Sequence, residues 1–364
     1  MPRVFATLAA MALCAAVAGC ATGSSTGDSA VPRYAHIFII VEENKDYAQI
    51  VSGPDAPNLA RLAAAYGNAT QFFSEVHPSE ANYVALPGGD TFGIHDDDAF
   101  YCKPGEVDAA CTYARFDNYP NHTVTAPHIG DQLLAKGLTW KGYYESLPQP
   151  GSLVVTASDT KIETGTSTAT IYASKHSGFL NFASVQQDPA RANRIVGFDQ
   201  LDADLASGHL PTLALIVPNQ CNEMHGQGGP NLPADCASGN VSGLIRRGDA
   251  VAGDLVARLQ ATDAWKGKSN VAIVITFDEG SGSQRGGCCG VTPTAPSNYG
   301  GGHIPTIVIT NHGPRGVADD TPYNHYALLR TMQDAFGLRP YLGHAGETEN
   351  GVVAMDRLFA VRRR

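Results

Sequence analysis

The sequence predicts an α/β protein built on a mostly parallel central sheet with helices on both faces. Three observations predict it. Short, continuous runs of branched apolar residues recur along the chain, as strands covered on both faces require. Amphipathic helix patterns fall between those runs. Hydrophobic residues make up 43% of the 364 positions against 16% charged, enough for a sizeable core and too apolar for gross disorder.

The elements follow in order. AHIFIIV at 35–41 reads as the first strand, with a helix at PNLARLAAAYG after it. QFFSEV at 71–76 reads as a second strand, and SEANYVAL as a short helix. APHIGDQLLAKG has the pattern of an amphipathic helix and leads into a strand at TWKGYYES. TLALIV (212–217), NVAIVITF (270–277) and HIPTIVIT (303–310) are buried strands by their branched content. GDAVAGDLVARLQATDAW and YNHYALLRTMQDAFG are the clearest helices. No internal repeat and no linker follow residue 33, so residues 34–364 read as one domain. Two long irregular segments, 88–123 and 280–302, interrupt the pattern. Loops of that length in a compact domain carry function or move, and the second is expected to lie over a site.

Residues 1–19 read as an export signal: Arg3 precedes a short Ala-rich apolar run that is too short to span a bilayer. Val17, Ala18, Gly19 and Cys20 resemble a bacterial lipobox, which makes Cys20 the lipidated first residue and residues 20–33 a flexible tether. The expected location is periplasmic or cell-surface, anchored to the membrane through Cys20, or secreted. Cysteine usage agrees with export. Cys102, Cys111, Cys221, Cys236, Cys288 and Cys289 form an even set, read as disulfides. The simplest pairing joins Cys102 to Cys111 and Cys221 to Cys236, leaving the adjacent Cys288 and Cys289, whose mutual bond is strained. No CxxC spacing supports a zinc cluster. A net charge of −10 without a basic stripe argues against nucleic acid as a partner, so a phosphate would be bound by a local site. Nothing in the sequence calls for a protein partner.

Ligands of open parallel sheets bind outside the carboxyl ends of the strands. Four predicted strand ends are unusually polar there. They run into Glu42, Glu43 and Asn44; into His77, Pro78 and Ser79; into the PNQCNEMH segment ending at His225; and into Asp278 and Glu279. One such carboxylate is ordinarily a solvated turn residue; four groups together mark a metal or catalytic centre. Ser79 reads as a helix N-cap, with Asn82 supporting the same turn. A helix N-terminus also stabilises anions, and a hydroxyl becomes a nucleophile when a base or metal lowers its pKa. Glu43, Asp278 and Glu279 are positioned to hold that metal.

The motifs IIVEENKDY, HPSEANYVAL, PNQCNEMH, ITFDEG, GGHIP and YNHYALLRT, in that order, resemble the phosphoesterase family that contains bacterial acid phosphatases and phospholipases C, within the alkaline-phosphatase superfamily. The resemblance runs from about Tyr34 to the helix at 323–336, and the Ser-x-x-Asn version with DDD and a cysteine loop is most similar to the compact secreted acid phosphatases. It implies an alkaline-phosphatase-like fold and residue roles to match. Glu43 and Asn44 coordinate or orient metal, Ser79 attacks phosphorus, Asp278 and Glu279 complete the metal shell, and Asn82 bonds a phosphoryl oxygen. His225 and His303 match positions of a second metal or a phosphate contact. Lys175 and His176 resemble a segment near the phosphate, although the usual proline after it is absent. Glu223 stands where many relatives have aspartate, and His77 and His325 match supporting positions. Oxygen donors at the principal site suit calcium, magnesium or manganese, with zinc at a second site. The expected reaction is metal-dependent hydrolysis of phosphate monoesters, phosphoinositides included, through a phosphoserine. A phospholipase C-type phosphodiesterase would use the same core. A non-enzymatic lipoprotein binding phospholigands would have no need of Ser79 among the carboxylates.

Overall fold

The computed structural model describes residues 1, 30–97, 122–159, 169–229, 231–283, 285–290 and 300–361. Among the described residues, ten strands form the sheets: β1 (His36–Glu42), β2 (Gly67–Ala69), β3 (Trp140–Tyr144), β4 (Thr156–Ser158), β5 (Thr170–Ala173), β6 (Ile195–Val196), β7 (Leu213–Val217), β8 (Val271–Phe277), β9 (Thr306–Thr310) and β10 (Val317–Asp319). β4 and β5 pair by themselves; the other eight form one sheet in the order β10-β2-β9-β8-β1-β7-β3-β6. β1 pairs in parallel with both β7 and β8 at the centre. Within the eight-stranded sheet only β9 runs against the other strands, antiparallel to β8 and β2.

The apolar runs explain the centre. Every residue of β7, β8 and β9 is buried, as expected of strands covered on both faces. Two helix groups provide the cover. Pro57–Ala65 packs on Val241–Ala261, and Glu80–Gly88 packs with Ile129–Ala135 and His325–Phe336. Glu80–Gly88 is buried along all nine residues, so it has no solvent face. It stops at Gly89, whose φ of +81° is left-handed and whose missing Cβ would lie 2.4 Å from the Leu342 carbonyl oxygen.

Several expectations need correction. QFFSEV does not form a sheet strand. The strand is the three-residue β2 just before it, while Phe72 and Phe73 make single bridges to Tyr323 and His303. The reason lies in the backbone: the Thr70 and Phe73 N–H groups donate to the 319–323 stretch, at Asp319 and Tyr323, while the Ser74 N–H turns to Gly302, so no ladder continues. The long helix starts at Val241, seven residues before the predicted 248. Val31 is 5% exposed and belongs to the core, so packing begins inside the segment read as tether. Cys221 bonds Cys236, the simplest pairing, and Cys288 bonds Cys289. Cys20, the export signal beyond residue 1, most of the tether, and Cys102 with Cys111 lie outside the described residues. No helix among the described residues is long and apolar enough to cross a membrane.

Candidate active site

The three central strands deliver the first polar groups. Glu42 pairs with Phe277 across β1 and β8, so Glu43 and Asp278 leave the sheet side by side. Asn44 takes a left-handed turn at φ 58°, which asparagine tolerates, and this aims its N–H at Asp278 Oδ1, 3.1 Å away. Its side-chain amide donates to Glu43 Oε2 at 2.7 Å. The segment after β7 joins them, because the Glu43 N–H donates to the Glu223 carbonyl at 2.7 Å.

Ser79 arrives on the turn before helix Glu80–Gly88. It stands at the N-cap position, as expected, but with helical backbone angles and no capping bond from its side chain. Its hydroxyl is instead turned onto carboxylates, 3.2 Å from Glu43 Oε2 and 3.4 Å from Glu279 Oε1. Asn82 fixes that turn: its amide donates to the Val76 carbonyl at 2.9 Å and its oxygen accepts from the Val76 N–H at 3.1 Å. Glu279 Oε2 lies 2.6 Å from His77 Nδ1.

His176 sits between two carboxylates, with Nε2 3.3 Å from Glu43 Oε1 and Nδ1 2.7 Å from Glu223 Oε1. Its ring stacks on Tyr83 at 5.2 Å between centroids and lies equally far from His225. Close approach has not become hydrogen bonding. Glu43 Oε1, both Glu223 oxygens, Asp278 Oδ2 and His176 Nε2 are buried without a hydrogen-bond partner. Burial, then the charges of Asp278 and Glu223, push the Glu43 pKa well up; burial also pushes Glu223 well up and raises Asp278. Glu279 is raised to about 8, by burial against the pull of His77. Burial and Lys175 hold His176 well below its ordinary value and His225 at about 4. Crowded carboxylates beside neutral imidazoles are a donor set that suits a divalent cation, whose charge would let the carboxylates ionise together. Glu43, His176 and His225 present ligand atoms within 4.8 Å of one another.

Other predicted residues lie around this centre. Lys175 Nζ bonds Asp97 Oδ2 at 2.7 Å. His303 comes to the same sheet edge because β9 runs backwards, but its contacts are elsewhere: it stacks on Tyr47 at 4.6 Å, and its Nε2 lies 2.9 Å from the Thr70 carbonyl. The structure therefore gathers Glu43, Asn44, Ser79, His176, His225, Asp278 and Glu279, whereas none of the contacts described for His303 is to Ser79 or these carboxylates. His325 supports the site from below, with Nδ1 2.5 Å from Glu75 Oε2 and Nε2 2.9 Å from the carbonyl of Phe277, the residue before Asp278. Sequence reasoning missed Tyr83, Asp97 and Lys45. The signals were faint: Tyr83 is one helical turn beyond Ser79, and Lys45, whose ammonium bonds the Met224 carbonyl at 2.8 Å, merely follows Asn44.

The model of the Phosphoesterase family matches residues 51–339. A phosphatidylinositol-3-phosphatase of Mycobacterium tuberculosis is 30% identical over 95% of this chain and 92% of its own length. A probable acid phosphatase of Kluyveromyces lactis is 28% identical over 86% of this chain, which spans 61% of that relative. An acid phosphatase of Aspergillus fumigatus is 28% identical over 84% of this chain, which spans 55% of that relative. Among solved structures, a protein in the alkaline phosphatase superfamily from Vibrio parahaemolyticus superposes with a TM-score of 0.52 at 12% identity, covering 93% of this chain and 72% of its own, a likeness of fold. The chain belongs to the phosphoesterase family and is a phosphoric ester hydrolase.

Proposed function

We propose that the protein is a metal-dependent phosphatase that hydrolyses phosphate monoesters through a phosphoserine on Ser79. One observation carries this reading: the Ser79 hydroxyl forgoes its helix cap and faces Glu43 and Glu279 in a buried carboxylate cluster. Glu43, His176 and His225, with Asp278, Glu279, Asn44 and the Ser79 oxygen around them, would hold a divalent cation. Bound there, it would supply Lewis-acid neutralisation of the phosphoryl oxygens and a lowered serine pKa. The oxygen donors suit calcium, magnesium or manganese, and the two imidazoles beside Glu43 also admit zinc.

Ser79 Oγ attacks phosphorus and passes its proton to Glu279 Oε1. The phosphorus–oxygen bond to the alcohol breaks in line, and the departing alkoxide, on the face away from Ser79, takes a proton from water. The resulting hydroxide cleaves the phosphoserine from that face, and Ser79 Oγ recovers its proton from Glu279. Glu279 Oε1 is placed for this exchange by its 3.4 Å approach to the Ser79 hydroxyl. Asn82 keeps the Ser79 turn in place, and Lys175 sets a positive charge beside the reacting group.

The names of the relatives, acid phosphatase and phosphatidylinositol-3-phosphatase, both describe monoester hydrolysis and support a monoester substrate, phosphoinositides included. A lipid on Cys20 would bring the site to membrane lipids, and Cys20→Ser should shift the protein from the membrane to the soluble fraction. The central test is phosphate release from p-nitrophenyl phosphate, bis-p-nitrophenyl phosphate and a phosphatidylinositol monophosphate, with and without chelator. The monoesters should lead and chelation should stop turnover; preference for the diester would replace this reading with a phosphodiesterase. Ser79→Ala should lose at least about a thousandfold in kcat with fold and metal content retained.

A further inference from the structure

A phosphate ester docking on Ser79 needs positive partners for its oxygens, and two donors next to Ser79 are already taken. The backbone N–H of Glu80, first in the catalytic helix, donates to Asp97 Oδ1 at 3.0 Å. The Lys175 ammonium bonds the other oxygen, Oδ2, at 2.7 Å. One carboxylate thus bridges a helix-terminal N–H and a cation, the arrangement a phosphoryl group uses at a helix N-terminus. The position belongs to the site. Asp97's charge acts on Glu279, His225, Glu80 and Lys175, and Lys175 in turn faces Glu43 and Asp278.

We propose that Asp97 is a built-in stand-in for the substrate phosphoryl group, occupying the anion position between Lys175 and the Glu80 N–H and leaving it when a phosphate ester binds. An incoming phosphate and the Asp97 carboxylate are both anions and cannot share two donors, so one displaces the other. The movement required is small. Ile94, 5% exposed, anchors the loop in the core, while the Asp97 side chain is a quarter exposed and can turn outward. The exchange keeps the helix N–H and the ammonium satisfied in the free enzyme and makes phosphate, substrate and product alike, compete with an internal ligand. It also favours release of inorganic phosphate after the second displacement.

This inference rests on the Ser79 phosphatase reading, and its test begins by separating the two. Wild type must hydrolyse p-nitrophenyl phosphate and Ser79→Ala must not; if either fails, the phosphatase reading falls. With both in hand, Asp97→Asn in the full-length, metal-loaded enzyme should lower KM for p-nitrophenyl phosphate and Ki for inorganic phosphate together, by about threefold or more. Its kcat should not rise, because product leaves more slowly. Adding Lys175→Met to Asp97→Asn should erase the gain. Unchanged or higher KM and Ki in Asp97→Asn, or a gain that survives loss of Lys175, would show that Asp97 is a permanent brace and overturn the proposal. Should Asp97→Asn fail to fold, Asp97→Ser removes the same charge and is read the same way.

Discussion

Two buried histidines, each among carboxylates, divide this molecule into a finished part and an unfinished one. His325 is completely served. Its N–H donates to Glu75 Oε1 at 2.9 Å, its Nδ1 meets Glu75 Oε2, and its Nε2 meets the Phe277 carbonyl. Burial alone would lower its pKa, but the charge and hydrogen bond of Glu75, with the Phe277 carbonyl, raise it. His176 has two carboxylates at similar range and is pushed the other way, well below its ordinary value, with Nε2 unpartnered. A closed network stabilises a fold. An open one of the same composition is a place where something else binds.

The largest effect should come from the open side. His176→Ala should lower metal affinity at least about a hundredfold, measured by titration calorimetry, with activity falling in step. The unfolding midpoint in chelator should stay near that of wild type, because no satisfied bond is lost. A large drop in that midpoint would erase the distinction between the two histidines.

His325→Ala should do the reverse. Leaving the buried Glu75 without its imidazole partner, with only the backbone N–H of residue 325 to Oε1, costs about 3–5 kcal/mol in denaturant unfolding, while metal affinity of the folded protein changes little.

Chelation tests the open cluster as a whole. Glu279 titrates at about 8 in the fold against an ordinary 4.5, so the folded state keeps a proton that the unfolded state loses. Metal-free protein should therefore lose stability as pH rises from about 4.5 towards 8, and metal loading should flatten that slope. A chelated protein with no slope, followed by thermal unfolding, would mean that the carboxylates are already neutralised within the chain.

The smallest effect concerns a third histidine, His344, whose side chain is partly exposed. The Asp90 carboxylate, 3.6 Å from its Nε2, and the hydrogen bond to Glu347 at 2.8 Å raise it to about 9. Its contribution is complete below the unfolded value of about 6.5 and disappears as pH climbs to about 9. His344→Gln should remove a shallow loss of stability across that window. Exposure keeps the effect small.

Much of this contrast could be read in the chain, and the remainder has a physical reason for being hidden. Glu43, Ser79, Asp278 and Glu279 were visible because each follows an apolar run at the edge where ligands bind. The strands β1 and β8 were visible because burial on both faces imposes a continuous apolar composition. β2 was not, since three residues, Gly67, Asn68 and Ala69, carry no period. The turning of the Ser79 hydroxyl away from its own helix was also hidden, because the carboxylates that attract it lie 36 and 200 positions away. Likewise, the meeting of His176 with Glu223 is a product of tertiary packing. Composition shows which strands are buried, but the reversed direction of β9 depends on its neighbours.

That reversal gives the protein a freedom that a parallel strand would deny it. A parallel successor to β8 would have to cross the sheet before starting again, whereas β9 begins at the edge where β8 ends. The intervening segment consequently leaves and returns on the catalytic side, and its feet are clasped by the Gly280 N–H on the Gly301 carbonyl at 2.7 Å. Its length is decoupled from the scaffold. Each doubling of such a loop adds only about 0.6 kcal/mol of closure entropy, so insertions there can remodel the rim of the site, and hence which leaving groups fit, without moving a strand.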